Sequence, residues 1–390
     1  MRPGAEAFWP TETQETLLRA ALLRSRDALD AWETWKSGND LVDSHLDPGS
    51  FRLLPLVYKN LVAHGADDRL MARLKGIYRF SWCTNQTLFH EAARLLQGLH
   101  DVGIRTMVLK GLPLALLYYR DRGARPMSDV DVLVPVHQTA LAIDCLARMG
   151  WRASSQSLAQ DFRFRHAAQL LNDGGQEFDL HWHVFYECLQ PDADDGFWRR
   201  AVPIEILHSR THALGPTDAL LHTVVHGIRW DEASTIRWIP DAVAILRAAR
   251  QQVDWERLLE LAEARQLLLR FGKGVRYLHE RFQAPVPAHV LERLSAHQPT
   301  YMERMEYRYL SLGPEERKRV VLGHYPFILV EYLRFAAGRS PLRKVMELPE
   351  YMRYRFSVQS RTQLLRLVLH HAVRKTGKTL MPRLRTNEQS

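Results

Sequence analysis

Residues 125–134 read Arg125-Pro126-Met127-Ser128-Asp129-Val130-Asp131-Val132-Leu133-Val134, and the strand within them decides how the chain is read. Val130, Val132, Leu133 and Val134 are strand formers, and Pro135 stops the run. Side chains alternate along a strand, so Asp129 and Asp131 project from the same face. A bare charge inside an apolar strand is costly, and two carboxylates this close repel unless a cation lies between them. Hard, oxygen-seeking Mg2+ is the natural occupant, with Mn2+ as the alternative. A third carboxylate, Asp179, interrupts a second strand-like run, Glu177-Phe178-Asp179-Leu180-His181-Trp182. If the two strands are neighbours, three carboxylates converge on one or two metal ions, a site suited to binding phosphates and activating a hydroxyl.

Working outward, Ile104-Arg105-Thr106-Met107-Val108-Leu109-Lys110 reads as a short strand that runs into Gly111, and helical spacing resumes over residues 112–121. Residues 122–126 form a loop, and residues 139–150 an amphipathic helix closed by Gly150. Residues 167–171 and 177–185 flank Asn172-Asp173-Gly174-Gly175, strong turn chemistry for a hairpin. Before this core, residues 13–32 and 69–103 read as helical runs, with breaks at Asp47-Pro48-Gly49 and His64-Gly65. From about Gly215 the pattern is helical again. The expected fold class is α+β, in three regions: N-terminal helices over 1–100, a mixed core over 101–214, and C-terminal helices with a basic tail over 215–390.

The set Leu109-Lys110-Gly111, Arg125 with Ser128-Asp129-Val130-Asp131-Val132-Leu133-Val134, and Phe178-Asp179-Leu180-His181-Trp182 resembles the nucleotidyltransferase superfamily typified by DNA polymerase beta. In particular it looks like a bacterial nucleotidyltransferase branch with Lys-Gly where Gly-Ser opens the site. The resemblance covers about residues 100–230. It implies a small nucleotidyltransferase-type mixed sheet, with Asp129, Asp131 and Asp179 as catalytic metal ligands and Asp179 as the base. It also implies an NTP co-substrate and the transfer of a nucleotidyl, or related phosphoryl, group from it. Gly111 allows close backbone approach at a helix start. The hydroxyl of Gly-Ser is missing, and Lys110 is expected to substitute as a point charge on phosphate. Arg125 reaches a phosphate from its loop, Ser128 belongs to the nucleotide-binding set, and His181 lines the acceptor pocket.

The acceptor suggested by this branch, which is similar to tailoring enzymes for peptides and polysaccharides, is a hydroxyl or phosphate of a small molecule, saccharide or peptide. A tRNA acceptor and a degenerate, non-catalytic binding fold are the rivals. His183 reads as packed structure, and His222 and His226, one turn apart, as packing or pocket lining without the HExxH context of a zinc site. Asp241, following Pro240, reads as a helix-opening acid.

Composition excludes other classes. The 390 residues are 46% hydrophobic and 25% charged, as in soluble globular proteins. Cys83, Cys145 and Cys188 are too far apart for a disulfide framework or a CxxC zinc site. The first residues lack the apolar core of a signal peptide, and there is no run of about 18 apolar residues to span a membrane. A cytoplasmic location is therefore expected. From Arg334 to Ser390, thirteen Lys and Arg stand against three acids, so this tail carries the positive charge and the rest of the chain is near neutral. Such a tail is a solvated helical surface, a polyanion-binding arm, or a surface for an acidic membrane, the last suggested by the basic amphipathic residues 364–375.

Overall fold

The computed structural model describes residues 8–39, 41, 46–153, 162–229, 235–313, 316 and 324–368. The chain divides into two compact units, Met1–Gly313 and Pro314–Ser390.

The first unit opens on four helices: α1 (Glu12–Leu22), α2 (Ser25–Gly38), α3 (Pro48–Ala63) and α4 (Met71–Asp101). Thr11 and Gln14 form a capping box that starts α1. The single helical run expected over 13–32 is in fact two helices, because the chain turns at Leu23-Arg24 and Ser25 takes φ +52°. Asp47 caps α3 by accepting from the amides of Gly49 and Ser50, with Pro48 in the first position, where its missing N–H is harmless. The expected break at Asp47-Pro48-Gly49 is thus the start of a helix. Helix α4 spans about 46 Å at 1.5 Å per residue, and Gly103, at φ +76°, lies just beyond its end.

A seven-stranded mixed sheet follows, built from β1 (Met107–Leu109), β2 (Asp129–Leu133), β3 (Arg152–Ala153), β4 (Ala167–Leu171), β5 (Glu177–His181), β6 (Val202–Ile206) and β7 (Ser209–Ala213). Its order is β3-β4-β5-β2-β1-β7-β6. Strand β2 is central, parallel to β5 and antiparallel to β1, while β1 is parallel to β7. The Asn172–Gly175 turn joins β4 and β5 as an antiparallel hairpin, as its residues predict. The β6–β7 hairpin is an addition to the sequence reading. Short helices α5 (Gly111–Leu114), α6 (Thr139–Arg148) and α7 (Asp195–Arg199) lie between strands, and a π-helical turn, Ala115–Tyr119, continues α5.

Alternation sorts the sheet into two faces. Val108, Val130, Val132, Phe178 and Leu180 point to one, and pack with Phe89, Ala92 and Leu96 of α4 and Leu146 of α6 in one buried cluster. On the other face, Met107, Leu109 and Leu133 join a larger cluster with α1, α3 and the later helices α8 (Pro216–Gly227), α9 (Trp238–Ala248), α10 (Trp255–Ala264) and α11 (Leu268–Phe282). Helices α12 (Ala288–Ala296) and α13 (Tyr301–Leu310) complete this unit. The architecture is the expected α+β class, a mixed sheet with helices before and after it. On the second face β2 switches along its length from Leu133 to Asp131 and Asp129, and β5 carries Asp179 and His181 beside them.

The second unit contains α14 (His324–Phe335) and α15 (Pro341–Arg355). Tyr351 of α15 stacks on Phe335 of α14 with ring centroids 6.0 Å apart. Of the amphipathic stretch 364–375, positions 369 onward lie outside the described residues.

Candidate active site

The register of β2 against β5 sets Asp131 directly opposite Asp179, and Asp129 opposite Glu177. Paired positions of neighbouring strands share a face, so Asp129, Asp131, Asp179 and His181 all project to the same side. Asp131 and His181 are buried, and Asp129 and Asp179 partly so. One donor atom each from Asp131, Asp179 and His181 can be chosen so that all lie within 4.8 Å of one another. Asp129, two residues up the same face, is outside that group, and Ser128 is exposed beside it with Oγ 3.4 Å from its carboxylate.

Asp131 is the hub. Its Oδ1 accepts from the Lys110 ammonium at 2.5 Å and lies 3.0 Å from Nε2 of His181. Burial alone would raise the Asp131 carboxyl, but the Lys110 charge and the His181 hydrogen bond outweigh it and hold the group well below the usual range. Asp179 goes the other way. Burial, then the neighbouring Asp131 charge, push its carboxyl up to about 7. Two facing carboxylates have been separated into one that stays ionised and one that can take or lose a proton near neutrality. Burial pushes the His181 imidazole down, against the opposing pull of its hydrogen bonds to Asp131 and to the His183 backbone.

Lys110 reaches Asp131 because of its backbone. It follows β1 directly and precedes α5, with φ +52° and ψ −113°, a conformation that strongly favours glycine. The sharp strand-to-helix turn ends β1 at Leu109, opposite Asp131. A Cβ on Gly111 would lie 2.8 Å from Sδ of Met127 and 3.2 Å from Nη1 of Arg125, so a side chain here would displace those two side chains of the loop.

Arg125 is buried and committed to a partner. Its Nε and Nη2 donate to the two oxygens of Asp241 at 2.8 and 2.9 Å, a bidentate fork. Its third nitrogen, Nη1, is the one beside Gly111. Asp241 also accepts from the Tyr119 hydroxyl at 2.9 Å. Reading Asp241 as a helix-opening acid describes its place in the first turn of α9 but misses this pair. Arg237, just before α9, donates to the Pro126 carbonyl at 3.4 Å. Burial, then the charges of Arg125 and Arg52, push its guanidinium down to about 10, with Asp241 and Asp129 as its opposing neighbours. Arg52 comes from α3, which packs against the turn carrying Arg237.

The loop before β2 is held from α4. Fully buried Asn85 donates to the carbonyls of Arg122, at 2.5 Å, and Arg125, at 2.9 Å, and accepts from the Met127 amide at 3.1 Å. Asp121 accepts from Lys59, Tyr78 and the amides of Gly123 and Ala124. Neither Asn85 nor Arg237 is singled out by the sequence. The available signal for Asn85 is a polar residue on the buried side of α4, where Leu88, Phe89 and Ala92 also lie.

Of the histidines, His183 pairs with Asp194 at 2.7 Å, matching its reading as packed structure. His222 is buried with Nε2 unpartnered, and burial pushes its imidazole down to about 3. His226 lies 3.1 Å from Arg229, and the His166 ring lies 5.4 Å from His181. Burial also pushes the imidazoles of His166 and His226 well below their ordinary range.

No curated protein matches the chain. Among solved structures it is similar to one described as an antigenic nucleotidyltransferase-like protein from Paracoccidioides brasiliensis, at 16% identity and a TM-score of 0.33, over 53% of this chain and 96% of that one. Residues 50–283 match the family model described as uncharacterised nucleotidyltransferase, a span that takes in α3, α4, the whole sheet and α8 to α11. The chain belongs to that uncharacterised nucleotidyltransferase family.

Proposed function

We propose that this protein moves a nucleotidyl group from an NTP to a hydroxyl or phosphate of a small-molecule, saccharide or peptide acceptor, with Mg2+ or Mn2+ at its carboxylates. One observation carries the reading: Asp131 and Asp179 face each other across parallel strands with their ionisations pushed apart. Around that pair, the sheet core 101–214 supplies the chemistry and the helical regions on either side supply Arg52, Asn85, Arg237 and Asp241.

The donor set fits a divalent cation. Asp131 and Asp179 offer oxygens, His181 an imidazole nitrogen, and Asp129 a further carboxylate on the same face. Oxygen donors suit Mg2+, while an imidazole in the set also accommodates Mn2+. Such an ion, when bound, would neutralise phosphate charge and favour ionisation of the incoming hydroxyl.

The protein's own groups do the rest. Lys110 balances Asp131 in the free protein, and its ammonium can pair with a phosphate oxygen instead when that carboxylate is otherwise engaged. Nη1 of Arg125, beside Gly111, and the Arg237 guanidinium extend the positive wall for the triphosphate, with Ser128 at its rim. Asp179, whose carboxyl burial and the Asp131 charge push up to about 7 before any cation is bound, is placed to accept the acceptor's proton. His181 orients Asp131 and closes the acceptor side. Calorimetry with a non-hydrolysable NTP analogue tests the assignment. Binding that requires Mg2+ or Mn2+ and is lost in Asp129→Ala/Asp131→Ala supports it, and equal binding by wild type and double variant refutes it.

A further inference from the structure

The second unit presents a surface that nucleotidyl transfer does not use. In the first two turns of α15, Leu342 and Val345 are each 71% exposed and Met346 is 65% exposed. Positions 342, 345 and 346 fall on one side of a helix. On α14, Leu329 and Leu333 are one turn apart and 46% and 38% exposed. These aliphatics are not the unit's own core. That role belongs to residues such as Phe327, Tyr332, Phe335 and Tyr351, which are buried. Three aliphatic side chains at such exposure on one side of α15 mark a contact surface rather than scattered solvent-facing residues.

The charge around them narrows the partner. Arg343 and Lys344 follow Leu342 in sequence and Arg339 precedes the helix; Arg339 and Arg343 share Glu347, and residues 334–368 carry eight Lys and Arg against two acids, so the surface stays net positive. An RNA would satisfy the cations, but bases stack on aromatic rings and do little for Leu, Val and Met. A second copy of the chain would bring the same positive tail against this one. A bilayer with acidic headgroups meets both requirements, taking aliphatics at the headgroup–acyl boundary and cations at the headgroups. Among the described residues no helix is long and apolar enough to cross a membrane, so the contact is peripheral.

We propose that the unit containing α14 and α15 docks on an anionic bilayer surface through Leu342, Val345 and Met346, with the Lys and Arg of residues 334–368 against the headgroups. The inference is independent of the reaction catalysed. The test uses the full chain in co-sedimentation with phosphatidylcholine vesicles, with or without about 30% phosphatidylglycerol. The chain is expected to sediment with the mixed vesicles, not with phosphatidylcholine alone, and to be released as salt shortens the screening length. Leu342→Ser/Val345→Ser/Met346→Ser should weaken binding by about tenfold or more, since the aliphatic insertion is lost. Because these side chains are exposed, circular dichroism should show an unchanged fold. Arg343→Gln/Lys344→Gln should weaken binding and leave less of it sensitive to salt. Three results would overturn the proposal: no binding to the mixed vesicles, equal binding by the triple serine variant, or dimerisation abolished by the serines without vesicle binding. Salt-sensitive tRNA binding in place of vesicle binding, unaffected by the serines, would also overturn it and assign the surface to RNA.

Discussion

Replacing Asp179 with Asn should stabilise the protein while removing its activity. In the folded chain the carboxyl is pushed up to about 7, first by burial and then by Asp131 across the strand pair. In an unfolded chain it titrates near the ordinary ~3.9. The folded state therefore binds this proton more tightly than the unfolded state. Between those two values the unfolded state is ionised and the folded state resists ionisation, so stability falls as pH rises from about 4 to about 7 and is level above that. A difference of roughly three units corresponds to about 4 kcal/mol at pH 8. Partial solvent access and relaxation around the charge reduce this, and about 2 kcal/mol is the working figure. Asn has nearly the same shape and no charge to bury, so Asp179→Asn recovers that amount at pH 8 and almost none at pH 4. At about 2 °C per kcal/mol for a unit of this size, the melting temperature should rise by roughly 4 °C at pH 8. The assay is thermal unfolding of both proteins with a chelator present, from pH 4 to pH 8, because a bound divalent ion would neutralise the same charge. A variant that is destabilised at pH 8, or a gain that is the same at every pH, would refute the reasoning.

Other perturbations reach the parts that hold the site. Asp241→Asn removes charge from the buried fork on Arg125, and urea unfolding should show a loss of about 3–5 kcal/mol; a loss below about 1 kcal/mol would mean that the pair is not what anchors this loop. Gly111→Ala places a methyl 2.8 Å from Sδ of Met127, and binding measurements should show weaker NTP affinity. Met127→Ala in the same chain should restore part of it, and no restoration would point to the backbone instead. Arg237→Gln, made beside the Arg125 and Arg52 charges, should raise the dissociation constant for inorganic tripolyphosphate by roughly tenfold or more with an unchanged melting temperature. Unaltered binding would remove Arg237 from the phosphate wall.

What the sequence made legible was local. The Asp129–Asp131 alternation, the Asn172–Gly175 turn and the glycines after α4 and α6 each depend on neighbours a few residues away, and the structure has them in those roles. The β6–β7 hairpin was not legible because its two-residue turn is Leu207-His208, with Leu207 at φ +54° where Gly or Asn would announce it. Pro203 and the polar Glu205, Arg210 and His212 further obscure the strands. Ser25 and Lys110 likewise adopt positive φ without a glycine. The site's supports were hidden for another reason. Arg125 meets Asp241 across 116 residues, and Asn85 meets Arg125 across 40. Pairings of that separation are created by tertiary packing and have no local pattern to read. Lys110 was legible as a cation at the site, but its hold on Asp131 follows from a backbone turn that only the fold imposes.

The most direct test of metal-assisted nucleotidyl transfer follows the two ends of the triphosphate separately. The purified chain is incubated with Mg2+ or Mn2+, a pool of candidate hydroxyl and phosphate acceptors, and NTP labelled either at the α- or at the γ-phosphorus. The α-label should appear on an acceptor, the γ-label should leave as pyrophosphate, and both should depend on the metal and vanish in Asp131→Asn. Transfer of the γ-label to the acceptor, or α-label transfer that survives Asp131→Asn, would contradict it.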